Sequence, residues 1–366
     1  MSSIARGELT WVGLDVHKDS IQAGILRPGS ESVELRALFN DEYSVRKFFA
    51  RGLGPRGHLR ICYEAGPTGY VLARQLQSLG VACQVIAPSL IPKAPGDKVK
   101  TDRRDARRLT RLYRAGELVA IRVPTPGEEA VRDLCRARAD MVADLTRARN
   151  RLTKFLLRHG RIWRGGSNWS LAHQRWLEAQ RFDDRALELT YSHYRATLQA
   201  RQSALEAASA DLLVFFERAP FADTVARLSA YRGVDRLGAL TIATEVCDFR
   251  RFSQAQHFAG FTGLVPSEYS SGASVARGRL TRAGNAHLRT QLIESAWAYQ
   301  HRPGVGVTLR HRQEGTPAPT LARAWAAQLR LTRRFRHLAS RKNAKPVVAA
   351  AVARELSGFL WAEMVA

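Results

Sequence analysis

Four carboxylates stand where metal chemistry would want them. Asp15 closes an apolar run in the phrase GLDVHKD, and Glu64 follows LRICY in the phrase YEAGPTGY. Asp102 and Asp105 lie three residues apart in KTDRRDARRL. Positions three apart share one face of a helix, so both carboxylates can point the same way. Four hard oxygen donors converging from three elements make a site for Mg2+ rather than for zinc. Two such ions about 4 Å apart clamp the attacking and leaving oxygens of a phosphodiester. The competing reading is structural. Asp15 and Glu64 would be strand-end caps, and Asp102 and Asp105 would pair with Arg103, Arg104, Arg107 and Arg108 on a solvated helix. All four together, at strand ends and on a basic helix, favour the site. Arginines flanking it, with Arg103, Arg104 and Arg107 foremost, would hold a phosphate backbone.

A second chemical stretch is FAGFTGLVPSEYSSGASVARGRLTRAGNAHLR, Phe258–Arg289. It sets Arg277, Arg279 and Arg282 shortly after Ser270, Ser271 and Gly272. A serine on a tight turn beside guanidinium groups has the parts for covalent catalysis at phosphorus, a nucleophile and charge stabilisation. Serine and glycine are also ordinary turn residues, which is the plainer reading. Upstream, Gly233-Val-Asp-Arg-Leu-Gly238 has the shape of a helix-hairpin-helix, whose glycine turn offers N–H groups to phosphate. Asp235 replaces the usual second glycine, so a structural helix turn is at least as good a reading.

The elements that must position these groups follow from the periodicity. Leu9–Val16, Ser20–Arg27 and Val33–Phe39 read as strands, with Pro28-Gly29-Ser30 as turn chemistry. Asp41–Ala50 reads as a helix, Leu59–Tyr63 as a strand, Thr68–Leu79 as a helix ended by Gly80, and Val81–Ala87 as a fifth strand. Three meander strands, then helix, strand, helix and strand, is the order of an RNase H-like domain. Pro88–Lys100 is a loop, and Thr101 is a candidate N-cap for a helix running to Arg114. Glu128–Gly160 and Asp183–Arg218 are long mixed-charge helical stretches around a turn containing tryptophan and glycine. They suggest an antiparallel coiled-coil arm, and an ordinary bundle fits the same spacing. The rest reads as helical with Gly-rich turns, ending in basic helices that include Val347–Val365. The expected fold is therefore α/β followed by α, in three parts: 1–123, 124–220 and 221–366.

Charge narrows the function classes. The 366 residues carry 57 Lys+Arg against 33 Asp+Glu, a net of +24. Such an excess points to a polyanion, with nucleic acid first. It is uneven: residues 1–92 carry a net of +2, 93–115 a net of +6, and 301–366 a net of +9. Four widely spaced cysteines without a CxxC pair argue against a disulfide framework or a zinc finger. The longest apolar runs fall short of the ~18 residues that would suggest a membrane span. The N-terminal residues lack the pattern of a signal peptide. A cytoplasmic protein is expected.

Read together and in order, these motifs resemble the transposases of the insertion sequence 110 family, the DEDD-type recombinases that include the Piv-type DNA invertases. GLDVHKD, YEAGPTGY and KTDRRDARRL resemble the family's RuvC-like domain. GVDRLGALTIATEV, FAGFTGLVPSEYSSG and RLTRAGNAHLR resemble its transposase domain. The resemblance implies that Asp15, Glu64, Asp102 and Asp105 bind Mg2+. It implies a covalent phosphoserine link to DNA through Ser271, immediately before Gly272, with Ser270 as runner-up. It also implies donor and target DNA, a bridge non-coding RNA, a homo-oligomer (dimer or tetramer) whose protomers share half-sites, and association with the nucleoid during activity. Two further readings stay open: a metal-dependent junction-resolving nuclease in which the serine is structural, and a non-catalytic nucleic-acid-binding scaffold.

Overall fold

A computed structural model describes residues 8–50, 53–92, 101–271, 274–341 and 344–366, with the side chains of 269–277 outside the described set. The chain forms two compact units, Met1–Pro124 and Thr125–Ala366. No helix among the described residues is long and apolar enough to cross a membrane.

The first unit is built on one sheet. β1 (Thr10–Val16), β2 (Ser20–Leu26) and β3 (Glu34–Phe39) form an antiparallel meander. α1 (Glu42–Ala50) follows. β4 (Leu59–Glu64) then pairs parallel to β1. α2 (Val71–Ser78) leads to β5 (Ala82–Ile86), parallel to β4. α3 (Asp102–Ala115) leads to the short β6 (Ala120–Ile121), antiparallel to β5. The strand order is β3-β2-β1-β4-β5-β6. Side chains alternate along each strand, so a strand buried on both faces must be apolar throughout. In β1, Val12 and Leu14 join a core with Val45, Phe49, Leu72 and Leu76 of α1 and α2. Trp11 joins the core on the opposite face with Leu109 and Tyr113 of α3. α3 is amphipathic: Ala106, Leu109, Thr110 and Tyr113 are buried at helical spacing, and Gly116 ends it in the left-handed region at φ 81°.

The second unit is mainly helical. α4 (Pro126–Arg158) starts at a reciprocal capping box between Thr125 and Glu128. After α5 (Leu171–Glu178), α6 (Arg185–Asp211) runs back along α4. The antiparallel sense is fixed at both ends. Arg138 donates to Ser209 at 2.8 Å near one end, and the rings of Phe155 and Tyr191 stack at 6.4 Å near the other. α7 (Ala222–Ser229), α8 (Arg236–Val246) and α9 (Ala255–Thr262) follow, then a hairpin of β7 (Pro266–Ser271) and β8 (Ser274–Leu280). α10 (Ala286–Ala296), α11 (Val307–Gln313), α12 (Ala318–Arg341) and α13 (Lys345–Val365) complete the unit. Its core gathers Leu240, Phe258, Leu292, Tyr299, Leu331 and Leu356, and it includes Val131 and Cys135 from the start of α4. The long helix is thus rooted in the same core as the C-terminal helices.

Two features depart from the sequence expectation. The stretch read as a turn at Gly160–Trp176 contains the start of α5, where Ser170 caps the helix by accepting from His173 N–H. The serine segment, read within a helical module, is a β-hairpin. Its strands carry serine, glutamate and arginine rather than an apolar alternation, so the strand signal is weak.

Candidate active site

Register explains how Asp15 and Glu64 come to be neighbours. Leu14 sits opposite Tyr63 in the parallel β1–β4 pair, and both side chains are buried on the α1/α2 face. The next residue on each strand is Asp15 or Glu64, and the period of two turns both toward the α3 face. The apolar runs end there, at the carboxyl ends of two adjacent parallel strands. Ligands of open α/β sheets gather at such an edge.

Close packing brings the first turn of α3 to that edge. Gly13 and Gly24 face each other across β1 and β2. A Cβ at Gly13 would lie 2.6 Å from Thr110 N, and one at Gly24 would lie 2.5 Å from Thr110 Oγ1. Thr110 is fully buried. Its hydroxyl oxygen accepts from Gly13 N–H at 3.1 Å and lies 3.0 Å from the Gly24 carbonyl and 2.7 Å from the Ala106 carbonyl. This contact fixes the approach of α3 two turns beyond Asp102.

The site itself gathers Asp15, His17 and Asp102. His17 Nε2 lies 3.4 Å from Asp15 Oδ2 and 3.6 Å from Asp102 Oδ1. One donor atom from each of the three lies within 4.8 Å of the others. Burial pushes the Asp15 carboxyl above its ordinary value. His17 offsets this in part, and the charges of Asp102 and Asp105 push it further up. Asp105 therefore acts on the same centre. Glu64 is exposed at the neighbouring strand end, outside the three-residue cluster. Among the described residues, no arginine lies within ion-pair distance of Asp15, Asp102 or Asp105, although Arg103, Arg104 and Arg107 are close in sequence and exposed. Carboxylates that press on one another beside an imidazole suit a divalent cation.

His17 did not stand out in the sequence. Its signal was its place two residues beyond Asp15 in GLDVHKD, which returns it to the same side of the chain.

In the second unit, Ser270 and Ser271 end β7, opposite Val275 and Ser274. Their side chains and that of Arg277 lie outside the described set, as does Gly272. Arg279 and Arg282 are exposed, and Arg282 takes a left-handed conformation at φ 54°, unusual for a residue with a Cβ. Arg289 stands beside Arg282, and burial together with the Arg282 charge holds it below its ordinary value. Asp235 is the N-cap of α8, its Oδ1 accepting from Gly238 N–H at 2.6 Å. That is the structural helix turn rather than the phosphate cradle. Gly233, at φ 83°, lies where a Cβ would meet the Ser295 carbonyl at 2.1 Å.

Comparison with known proteins identifies the family. Residues 12–160 match the DEDD_Tnp_IS110 family, described as "Transposase", and residues 225–306 match the family described as "Transposase IS116/IS110/IS902 family". "Putative transposase y4qE" of Sinorhizobium fredii is 42% identical over 355 residues, covering 96% of this chain and 87% of that protein. The chain belongs to the IS110 family of transposases. The "Transposase for insertion sequence element IS1533" of Leptospira borgpetersenii is 34% identical over 91% of this chain and 97% of its own length. For this IS110-family transposase, the first matched span holds all four candidate carboxylates, and the second holds β7, β8 and the arginines that follow. DNA is the substrate that membership of a transposase family implies, and a DEDD-type domain with this acidic cluster implies a divalent metal.

Proposed function

We propose that this transposase cuts and exchanges DNA strands of an insertion sequence with two groups of different kind. One is an Mg2+-binding set of Asp15, Glu64, Asp102 and Asp105 in an RNase H-like, RuvC-like N-terminal domain. The other is a serine nucleophile, Ser271, with Ser270 as the alternative. The observation that carries the reading is the cluster of Asp15 and Asp102 around His17, with no arginine among the described residues paired to either despite the basic helix. Acidic groups so arranged are costly to the fold and useful to a cation.

The chain's own residues divide the work. The carboxylates would hold metal, which when bound supplies Lewis-acid charge at a phosphodiester. His17, within 3.4 Å of Asp15 and 3.6 Å of Asp102, holds the two carboxylates together at the strand end. Arg103, Arg104 and Arg107 hold the backbone. The Ser271 hydroxyl attacks phosphorus, giving up its proton as the Oγ–P bond forms. The bond to the deoxyribose oxygen breaks, and that oxygen takes up a proton. Arg277, Arg279 and Arg282 balance the charge that builds on the phosphoryl oxygens. The phosphodiester bond is conserved as a serine ester, so a second strand end can reverse the step and reseal. In this reading residues 1–123 are the nuclease part, 124–220 a coiled-coil linker and 221–366 the serine-bearing part. A bridge RNA pairs with donor and target DNA, and a dimer or tetramer in the cytoplasm, bound to the nucleoid when active, completes the sites.

The test is trapping of a protein–DNA adduct on a denaturing gel with Mg2+ and element-end DNA. Wild-type protein is expected to form it, and Ser271→Ala to lose both adduct and strand transfer. Strand transfer that persists in Ser271→Ala without an adduct would favour a metal-only junction nuclease. Element mobility unaffected by Asp15→Ala would favour a scaffold. Sequencing the RNA that co-purifies with the protein tests the guide.

A further inference from the structure

The second unit holds a groove of about 1960 Å3 between the β7–β8 hairpin, α9, α10 and the last two helices. That is about twice the upper end of the ~300–1,000 Å3 range of small-molecule sites. Its rim is cationic. Arg279, Arg282 and Arg289 line one wall, Arg330 and Arg334 of α12 another, and Arg354 of α13 a third. Among the described residues the single acidic lining residue, Glu355, is held by Arg330 at 3.3 Å and Arg334 at 3.0 Å. Among the described residues, no carboxylate lies within ion-pair distance of Arg279, Arg282, Arg289 or Arg354. Arg282 and Arg289 stand near enough to repel each other, and Arg282 does so from a left-handed backbone. Like charges held together on a strained segment need an anion from outside.

The floor is of another kind. α13 is apolar over most of its circumference, interrupted toward the groove by Arg354 and Glu355, and a helix of that composition is normally covered on most sides. One side of it packs into the core through Val348, Val352, Leu356 and Leu360. The other side, with Val347, Ala350, Ala351 and Gly358, lies open to the groove, and Val347 is 52% exposed. Trp361 also lines it, with its indole N–H already given to the Phe252 carbonyl at 3.1 Å, so it offers carbon surface.

We propose that this groove holds an unpaired segment of the DNA substrate, bases against the α13 floor and phosphates against the arginine rim. The proposal rests on the DNA-recombining reading above and deepens it. A duplex presents sugar and phosphate outward and has no use for an apolar floor, whereas unpaired bases need one. DNA is chosen because Pro266, Gly278 and Leu280 of the groove wall belong to the hairpin that carries the candidate nucleophile, which must meet a DNA strand.

The test uses full-length protein in EDTA, so that binding is read without cleavage. Fluorescence anisotropy compares a short labelled single strand, the same sequence as duplex, and its RNA counterpart. Two variants probe the groove: Ala351→Glu puts a carboxylate on the floor, and Arg354→Gln removes an exposed rim charge with little risk to folding. Single-strand DNA affinity is expected to fall by about tenfold in Ala351→Glu, because a base laid on the floor must desolvate the new carboxylate. Duplex affinity is expected to change less than about twofold, within the range of surface substitutions. Arg354→Gln is expected to flatten the single-strand salt slope by about 0.7. Equal losses on single strand and duplex, or none in either variant, would overturn the proposal. RNA bound as tightly as DNA and equally weakened would reassign the groove. A changed sedimentation coefficient with unchanged oligonucleotide binding would make it a protein interface. Wild-type protein that binds neither strand nor duplex would sink the DNA reading as well, whereas failure of the groove alone leaves adduct formation intact.

Discussion

Two sets of carboxylates in this chain live among arginines and are treated in opposite ways. In the second unit Glu363 is fully buried, and its oxygens accept from Arg323 at 2.6 and 2.9 Å, Arg227 at 2.9 Å, Thr320 at 2.8 Å and Tyr231 at 3.0 Å. Those hydrogen bonds outweigh burial and hold its carboxyl down at about 2. Glu245 is similar: Arg136 forks onto it at 2.7 and 2.8 Å, Asn285 donates at 2.6 Å, and its carboxyl is lowered despite burial. In the first unit arginines follow Asp102 directly in sequence, yet among the described residues the side chain within ion-pair distance of both Asp15 and Asp102 is His17, and Asp15 is pushed up rather than down. An acid that serves the fold is saturated with donors. An acid that would take a ligand, as we propose for Asp15 and Asp102, is left short of them, at a cost to the fold.

The sharpest way to break that comparison is to neutralise each set. Asp15→Asn and Asp102→Asn are expected to abolish strand transfer and to remove Mn2+ binding followed by electron paramagnetic resonance, while the thermal midpoint of Asp15→Asn in EDTA at pH 7 holds or rises. The sign follows from the direction of the shift. A carboxyl raised on folding favours the folded state only where it is protonated, and that contribution is lost as pH rises through its folded value. Ionised Asp15 therefore opposes folding at neutral pH, and asparagine removes the opposition. A midpoint several degrees lower in Asp15→Asn would make that residue structural.

Glu363→Gln should do the reverse, leaving the metal centre alone and costing about 3 kcal/mol at pH 7, because it strands two arginines around a buried amide. A carboxyl lowered to about 2 stabilises the fold above its unfolded value and loses that contribution as pH falls toward 2. The wild-type urea midpoint should therefore fall between about pH 5 and pH 2, and the Glu363→Gln midpoint should be flatter across the same window. Parallel curves would remove Glu363 as the source.

A smaller effect tests how the unsaturated site is held. Thr110→Val keeps the shape but strips the hydroxyl from between Gly13, Gly24 and Ala106. The buried Gly13 N–H loses a partner, at roughly 1–3 kcal/mol. If Thr110 sets the distance of α3 from β1, Mn2+ affinity should also drop, by about tenfold, the scale of losing a group that orients ligands. Thr110→Ser should restore both. Stability lost with metal affinity unchanged would confine Thr110 to packing.

What was legible in the sequence divides along local and non-local lines. Asp15 and Glu64 could be read because the apolar runs of β1 and β4 stop at them. Asp102 and Asp105 could be read because their spacing suits a helix face behind a capping threonine. The meander followed by alternating helix and strand was likewise written in the periodicity. Hidden from it was everything that depends on register or distant packing. Gly13 meets Gly24 and Thr110 only once β1, β2 and α3 are assembled. Glu363 finds Arg227 from 136 positions away. The β7–β8 hairpin was missed because polar strands give no alternation, and Arg289 because its significance is its nearness to Arg282, not its place in the chain.

Asp235 provides the finest test, as a third kind of carboxylate whose hydrogen bond goes to a backbone N–H at a helix start. It caps α8, and Asp235→Ala should cost about 1 kcal/mol, read as a lower urea midpoint. Asp235→Gly restores the glycine that a phosphate-cradling hairpin would carry, and a glycine cap should cost only a few tenths of a kcal/mol. If the turn is purely structural, neither change should alter DNA affinity or its salt slope. A gain in duplex affinity for Asp235→Gly, with stability nearly held, would mean that the turn faces phosphate after all and that Asp235 tempers that contact. The capping carboxylate would then join the first-unit carboxylates that we propose answer to a ligand rather than to the fold.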